Sequence, residues 1–342
     1  MINLYTKIDL LTEEYRSKVF PLLFDLCYAR KSSLTKWYRI EEDLKKSDIA
    51  VWPLEFDFSM KFFKNTFHFF LVDARCKNKK IWIYSGGDYG FSINEKDIYN
   101  FRLGGFKSNL TDNDFVLPSF ISDPYLGRFK SFKTLKKKYN PKIGFVGHAS
   151  EGTLKLFKEL WHYFRINFKR IFKKTHADYQ SFYPSSNKRY YYLKKLSANN
   201  KIKNEFILRK NYRAGVNTEE ERQRTSMEFY QNIFDCPYTF CMRGNGNFSV
   251  RLFETLAMGR IPLFLNTDSK LPLDEDIDWN KHVVWVEQKD GQVLDKKLLH
   301  FHKNISQMDF EKIQSNNRIL WDKYLTKHGY FKHIHDKFVN KI

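Results

Sequence analysis

Cysteine is scarce in this chain: 342 residues contain four, Cys27, Cys76, Cys236 and Cys241, with no CxxC pair and no histidine at zinc-finger spacing. A disulfide framework and a zinc module are therefore not indicated, and a reducing, cytoplasmic setting fits. Long apolar runs are missing too. No window reaches the roughly eighteen uninterrupted apolar residues of a membrane span. The opening MINLYTKIDLLTEEYRSK carries acidic residues and lacks a continuous apolar core, so it does not read as a signal peptide. There is no internal repeat. Acidic side chains are the deficient charge, 39 against 59 basic, giving a formal net charge of +20. A field of that sign favours polyanions: nucleic acid, anionic lipid headgroups, acidic glycans or phosphorylated small substrates.

What is present is core material. With 42% hydrophobic and 18% aromatic residues the chain is a folded globular protein, and its length suits two domains of ordinary size. The pattern is α/β. IAVWPLEF (49–56), HFFLVDA (68–74) and KIWIYSG (80–86) read as strands, and residues 11–29 as a helix. The basic stretch 130–142 reads as a linker. After it, KIGFVGHAS (142–150) is a strand, and Leu154, Phe157, Leu160, Trp161, Phe164, Phe168 and Ile171 mark an amphipathic helix. Because a strand precedes it directly, this helix is expected to pack in the core; its basic opposite face leaves membrane-surface binding as the alternative. Residues 175–204 show no period and read as an excursion or mobile loop. A strand follows at 205–213, then a helix at 218–234 with Thr218 as N-cap and Glu219, Glu220 and Glu221 in its first turn.

The chemistry concentrates in 238–286. YTFCM is a buried strand, RGNGN a tight turn, SVRLFETLAMG a helix with Ser249 as N-cap and Gly259 as terminator, and IPLFL the next strand. A Gly-rich turn entering a helix receives phosphate, because free N–H groups and the helix dipole converge there. Arg243 and Arg251 are placed to fork onto a diphosphate, and Glu254, three residues after Arg251, to accept from ribose hydroxyls. The same spacing also suits a plain surface ion pair.

This segment resembles the signature of the exostosin-like glycosyltransferases, family 47, which have the GT-B fold. There a strand leads into an RG turn, then S-x-R-[FL]-[FW]-E-[AT]-L-A-x-G-x-I-P, then L-P and D-W before a V-x-V strand. The chain supplies Arg243-Gly244, Ser249, Arg251, Glu254, Gly259, Ile261-Pro262, Leu271-Pro272 and Asp278-Trp279 in that order. PKIGFVGHA resembles the opening strand of the family's donor lobe. GGDYG (86–90) and DFVLP (114–118) resemble its G-R-D-H and K-D-V-x-x-P stretches, with Tyr89 where the family often has His.

The resemblance implies two Rossmann-like lobes facing across a cleft: an acceptor-side lobe over 1–138, a donor lobe over 139–307, and terminal helices over 308–342 crossing back to the first lobe. It implies inverting transfer from a nucleoside-diphosphate sugar, UDP first, to a glycan or lipid-linked glycan hydroxyl, with no tightly bound metal and no other cofactor. Asp274 and Asp276 do form a D-x-D, but in an acidic loop that reads as solvated. Donor contacts would come from Gly147 and His148 at the end of a strand, from Arg209 and Arg213, from Arg243, Gly244, Gly246, Asn247 and Ser249, and from Arg251 and Glu254. The base should lie in the first lobe: Asp88 first, then Glu55 and Asp57, each equally readable as a turn or capping carboxylate.

Two other classes stay open. A single-stranded nucleic-acid binder would use the charge and the aromatic, basic region 182–213, though no RRM, KH, zinc or helix-turn-helix signature supports it. A catalytically silent relative would keep the lobe for binding alone. For the glycosyltransferase reading the expected partners are the donor, a glycan or lipid-linked acceptor and an anionic membrane face, with no nucleic acid.

Overall fold

The computed structural model describes residues 1–29, 32–55, 61–172, 174–211 and 215–341. Asp57 and Arg213 lie outside the described residues.

Two parallel sheets organise the chain. The first contains β1 (Ile2–Thr6), β2 (Tyr38–Glu41), β3 (Ile49–Glu55), β4 (Lys80–Ser85), β5 (Ile98–Arg102) and β6 (Asp114–Val116), in the order β2-β1-β3-β4-β5-β6. The second contains β7 (Lys142–His148), β8 (Lys203–Arg209), β9 (Tyr238–Met242), β10 (Ile261–Asn266) and β11 (Val284–Glu287), in the order β11-β10-β9-β7-β8. Each sheet's first strand lies between its second and third. Both therefore have a topological switch point, at β1/β3 and at β7/β9, where open α/β sheets hold ligands beyond the strands' carboxyl ends. Two such sheets facing one another form the α/β architecture that the sequence pattern implies and the GT-B arrangement that the resemblance implies.

The central strands read as continuous apolar runs because both their faces are covered, whereas the edge strand β8 is largely exposed. All of YTFCM and IPLFLN is buried. The helices are α1 (Pro21–Tyr28), α2 (Lys61–Cys76), α3 (Thr153–Ile171), α4 (Ser185–Ala198), α5 (Glu219–Asp235), α6 (Val250–Ala257), α7 (Leu294–Asn304), α8 (Gln307–Leu320) and α9 (Lys327–Val339). Thr218 caps α5 in a complete capping box with Glu221. Gly259, at φ 62°, closes α6: its N–H donates to Leu256 O and that of Arg260 to Thr255 O, both at 2.9 Å, a Schellman motif. The core of the first sheet includes Tyr330, Phe331, Ile334 and Phe338 of α9, so the end of the chain packs on its beginning.

Four sequence expectations need correction. HFFLVDA is not a strand but part of α2: its buried residues Phe67, Phe70 and Ala74 are three and four apart, a helical spacing. The helix expected over 11–29 is confined to Pro21–Tyr28, where Pro21 sits at the first helical position. Residues 185–198, read as loop, form α4. The helix after β7 exists, but its apolar stripe does not face the core: Phe157, Trp161, Phe164, Phe168 and Ile171 are exposed.

Candidate functional site

At the switch point of the second sheet, three arginines converge. Arg243 leaves β9 into the RGNGN turn and is buried. It donates to Gln180 Oε1 and, at 2.8 Å, to Asn245 O, and it stacks 4.6 Å from the centre of the Tyr183 ring. Arg251, in the first turn of α6, donates to Val146 O at 2.7 Å and lies 4.0 Å over the Phe145 ring. Gly147 makes room for it, since a Cβ there would come 2.7 Å from Arg251 Nη2. Arg189, one turn into α4, donates to His148 O at 2.7 Å and to Arg243 O at 3.2 Å. It is the residue the sequence reasoning missed. Its segment has no apolar period, and the usable signal was Pro184 followed by Ser185, Ser186 and Asn187, a helix start.

The electrostatics of the three are alike. Burial lowers the pKa of Arg189 to about 10, with repulsion from Arg251 second. Burial likewise takes Arg243 to about 10 and lowers Arg251. Among the described residues none of the three is salt-bridged, and each buries an Nε–H with no protein acceptor. Concentrated positive charge with unspent donors has the chemistry that suits an oxyanion.

A cavity of about 370 Å³ opens beside this cluster, within the range of small-molecule sites. Gln180 and Tyr183, the partners of Arg243, form one wall. Ser185, the first residue of α4, forms another. Lys158, His162 and Tyr163 of α3 line a third side, and Tyr89 with Asn245 closes the cavity at the junction of the two lobes.

That junction is tight. Tyr89 donates to Asn245 Oδ1 at 3.0 Å, and Asn245 Nδ2 donates to Asp88 Oδ2 at 3.1 Å. Gly246 approaches not a ligand but the neighbouring lobe, since a Cβ on it would stand 2.1 Å from Asp88 O. The Asn247 side chain is spent on structure, which leaves only its backbone for donor contact. Its Nδ2 reaches Gly105 O, Thr267 O and Asp268 O at 3.0–3.2 Å, and its Oδ1 accepts from Thr267 and Ser269. Asp178, in the segment after α3, crosses to the first lobe and pairs with buried Arg102 at 2.8 Å while accepting from Ser92 N and Oγ.

Other assigned residues fall at varying distance from this centre. Gly244 faces open space. Ser249 holds the N-cap position of α6, yet its side chain makes no capping bond. His148 ends β7 half-buried, paired in register with Arg209. Arg209 is committed to Glu228 on α5, which neutralises it as a free cation. Glu254 is half-buried against α5, hydrogen-bonded by Tyr230, and burial raises its pKa to about 7. Like the three arginines, it stands beside the cavity rather than lining it. In the first lobe, Asp88 is exposed at the junction, and Glu55 ends β3 at the other switch point with its carboxylate over Gly86. Asp274 pairs with Lys107 at 3.0 Å and Asp276 contacts His333 at 2.9 Å, while Glu275, Asp276 and Asp278 of the D-x-D loop are exposed. Among the described residues no group of three or more His, Cys, Asp or Glu is arranged to hold a metal ion, and no helix is long and apolar enough to cross a membrane.

No protein-family model matches the chain. A probable glucuronosyltransferase 47 A of Physcomitrium patens is 36% identical over 70 residues, 20% of this chain and 16% of that protein, so the chain matches about a sixth of the relative's length. Among solved structures, a glycosyltransferase from Rickettsia africae ESF-5 overlaps 99% of this chain and 98% of its own at 12% identity and TM-score 0.42. TarM overlaps 85% of this chain and 54% of its own at 11% identity and TM-score 0.37. An alpha-glucosyltransferase in complex with UDP-glucose and abasic-site DNA overlaps 86% and 81% at 11% identity and TM-score 0.36. These likenesses are loose.

Proposed function

We propose that the chain is an exostosin-like, inverting glycosyltransferase that takes a nucleoside-diphosphate sugar, UDP first, and transfers the sugar to a glycan or lipid-linked glycan hydroxyl. One observation carries the reading: Arg243, buried, and Arg189 and Arg251, half-buried, all without salt bridges, meet at the switch point of the second sheet beside a cavity closed by the first lobe. A diphosphate supplies the negative charge and the acceptor oxygens this cluster lacks. The ordered motif from Arg243 to Trp279 and the short glucuronosyltransferase match support the sugar-transfer class.

In this reaction the acceptor oxygen forms its bond to the anomeric carbon as the bond to the β-phosphate oxygen breaks. The departing electron pair stays on the diphosphate, where the arginines stabilise it. The acceptor proton passes to a carboxylate. Asp88 is the first candidate, standing at the lobe junction next to Asn245 of the cavity wall; Glu55 is the second. The donor is held without a resident metal or other cofactor.

The test is calorimetry with UDP, GDP and CMP, paired with a product-release assay across their sugars. Wild type should bind one diphosphate class, and Arg243→Met should weaken it about tenfold or more. Asp88→Asn should bind normally and lose transfer. No nucleotide binding by wild type, with salt-sensitive binding of single-stranded oligonucleotide, would overturn the proposal. Binding without turnover on any donor would identify a silent relative.

A further inference from the structure

Helix α3 is built inside out. Phe157, Trp161, Phe164, Phe168 and Ile171 share one face and are 60–75% exposed, and Phe172 continues the stripe at 57%. The face turned to the protein is the polar one, where His162 and Tyr163 line the cavity. An α/β helix normally does the reverse, and a contiguous exposed patch of this size on a soluble protein marks a contact surface. The sequence beside the stripe is basic. Lys158, Arg165 and Lys169 fall on one flank at helical spacing, Lys174 follows, and Glu159 is the helix's one acidic residue. Arg165 lies 5.5 Å over the Trp161 ring, so cation and aromatic are presented together.

We infer that α3 docks on an anionic lipid surface. Large aromatic residues on one side of a helix and Lys/Arg on the flank are the pattern of a helix lying in the headgroup layer. The apolar stripe enters the acyl boundary while the flanking cations meet anionic headgroups. The complementarity is general as well as local, for the chain carries a net charge of +20. Because the other side of α3 lines the cavity, docking sets the cavity beside the lipid headgroups. Resting on the proposed glycosyl transfer, this names the acceptor class: a hydroxyl carried on a membrane lipid.

The experiment is vesicle flotation with purified full-length chain. Phosphatidylcholine vesicles are compared with vesicles that also contain phosphatidylglycerol. The chain should float with the anionic vesicles, less so at raised salt, and its Trp emission should shift to the blue in a component absent from Trp161→Phe. Phe164→Glu with Phe168→Glu, and separately Arg165→Glu with Lys169→Glu, should each cut partitioning about tenfold or more. Both pairs are on exposed positions, and near-ultraviolet circular dichroism with nucleotide calorimetry verifies an intact fold and site. Failure to float with anionic vesicles, or flotation unchanged by the Phe164/Phe168 pair, overturns the docking. So does sedimentation showing that this pair instead dissociates a dimer. Docking that succeeds while nucleotide binding fails leaves the lipid surface standing and removes the acceptor reading.

Discussion

A guanidinium taken out of water without a salt bridge costs up to several kcal/mol of desolvation, and this protein sets buried Arg243 beside half-buried Arg189 and Arg251. Replacing Arg189 with Met removes one such charge. Arg189→Met should keep or raise the melting temperature in the free protein while nucleoside-diphosphate affinity falls about tenfold or more, a split read by calorimetry against thermal unfolding. A residue placed only for stability would lower the melting temperature instead. Glu254 gives a pH signature. The fold holds its proton up to about pH 7, whereas the unfolded chain releases it near 4.5. The stability gained from the protonated carboxyl is complete below pH 4.5 and is lost as pH rises through 7. Relative to Glu254→Gln, wild type should therefore lose about 3 kcal/mol between pH 4.5 and 7.5 in urea unfolding. At this scale Arg243 and Arg251 were legible, because a Gly-rich turn and a helix start give them a local context. The structural work of Asn247 and Gly246 was not, since their partners Gly105, Thr267 and Asp88 are remote in sequence or in the other lobe.

Elements were legible where periodicity and termini agreed. β7, β9, β10 and the Gly259 stop of α6 fall where the sequence places them. They were misread where a short apolar run fits two periods: HFFLVDA suits a strand until Phe67 and Lys61–Thr66 are joined to it. In α3 the period was right and the direction wrong, since amphipathicity says that one face is apolar but not what it meets. Glycine positions expose a second limit. Gly246→Ala would drive a Cβ into the backbone of Asp88. It should hold the lobes apart, widening the small-angle scattering profile and lowering transfer about tenfold or more, with each lobe's secondary structure retained.

For the whole molecule, the two lobes are tied by more than the chain that joins them. Phe106 pairs with Ser269 across the junction, Lys107 N donates to Asp268 O at 2.7 Å, and Asp178 reaches Arg102. Asp178→Ala strips a buried arginine of its closer partner and should destabilise the protein by about 3 kcal/mol in denaturant titration, with Arg102→Met/Asp178→Ala recovering part of the loss. The packing of α9 on the first sheet has a different consequence, one of timing. As the ribosome makes the chain, the first lobe emerges early but waits for Tyr330, Phe331, Ile334 and Phe338 to fill its core. The second lobe has all its strands by residue 287 and the last of its core, Leu320, Trp321 and Leu325, just before α9. The half made first is thus finished last. Until α9 arrives, its open apolar face is the stage of biogenesis most exposed to aggregation and to chaperone capture.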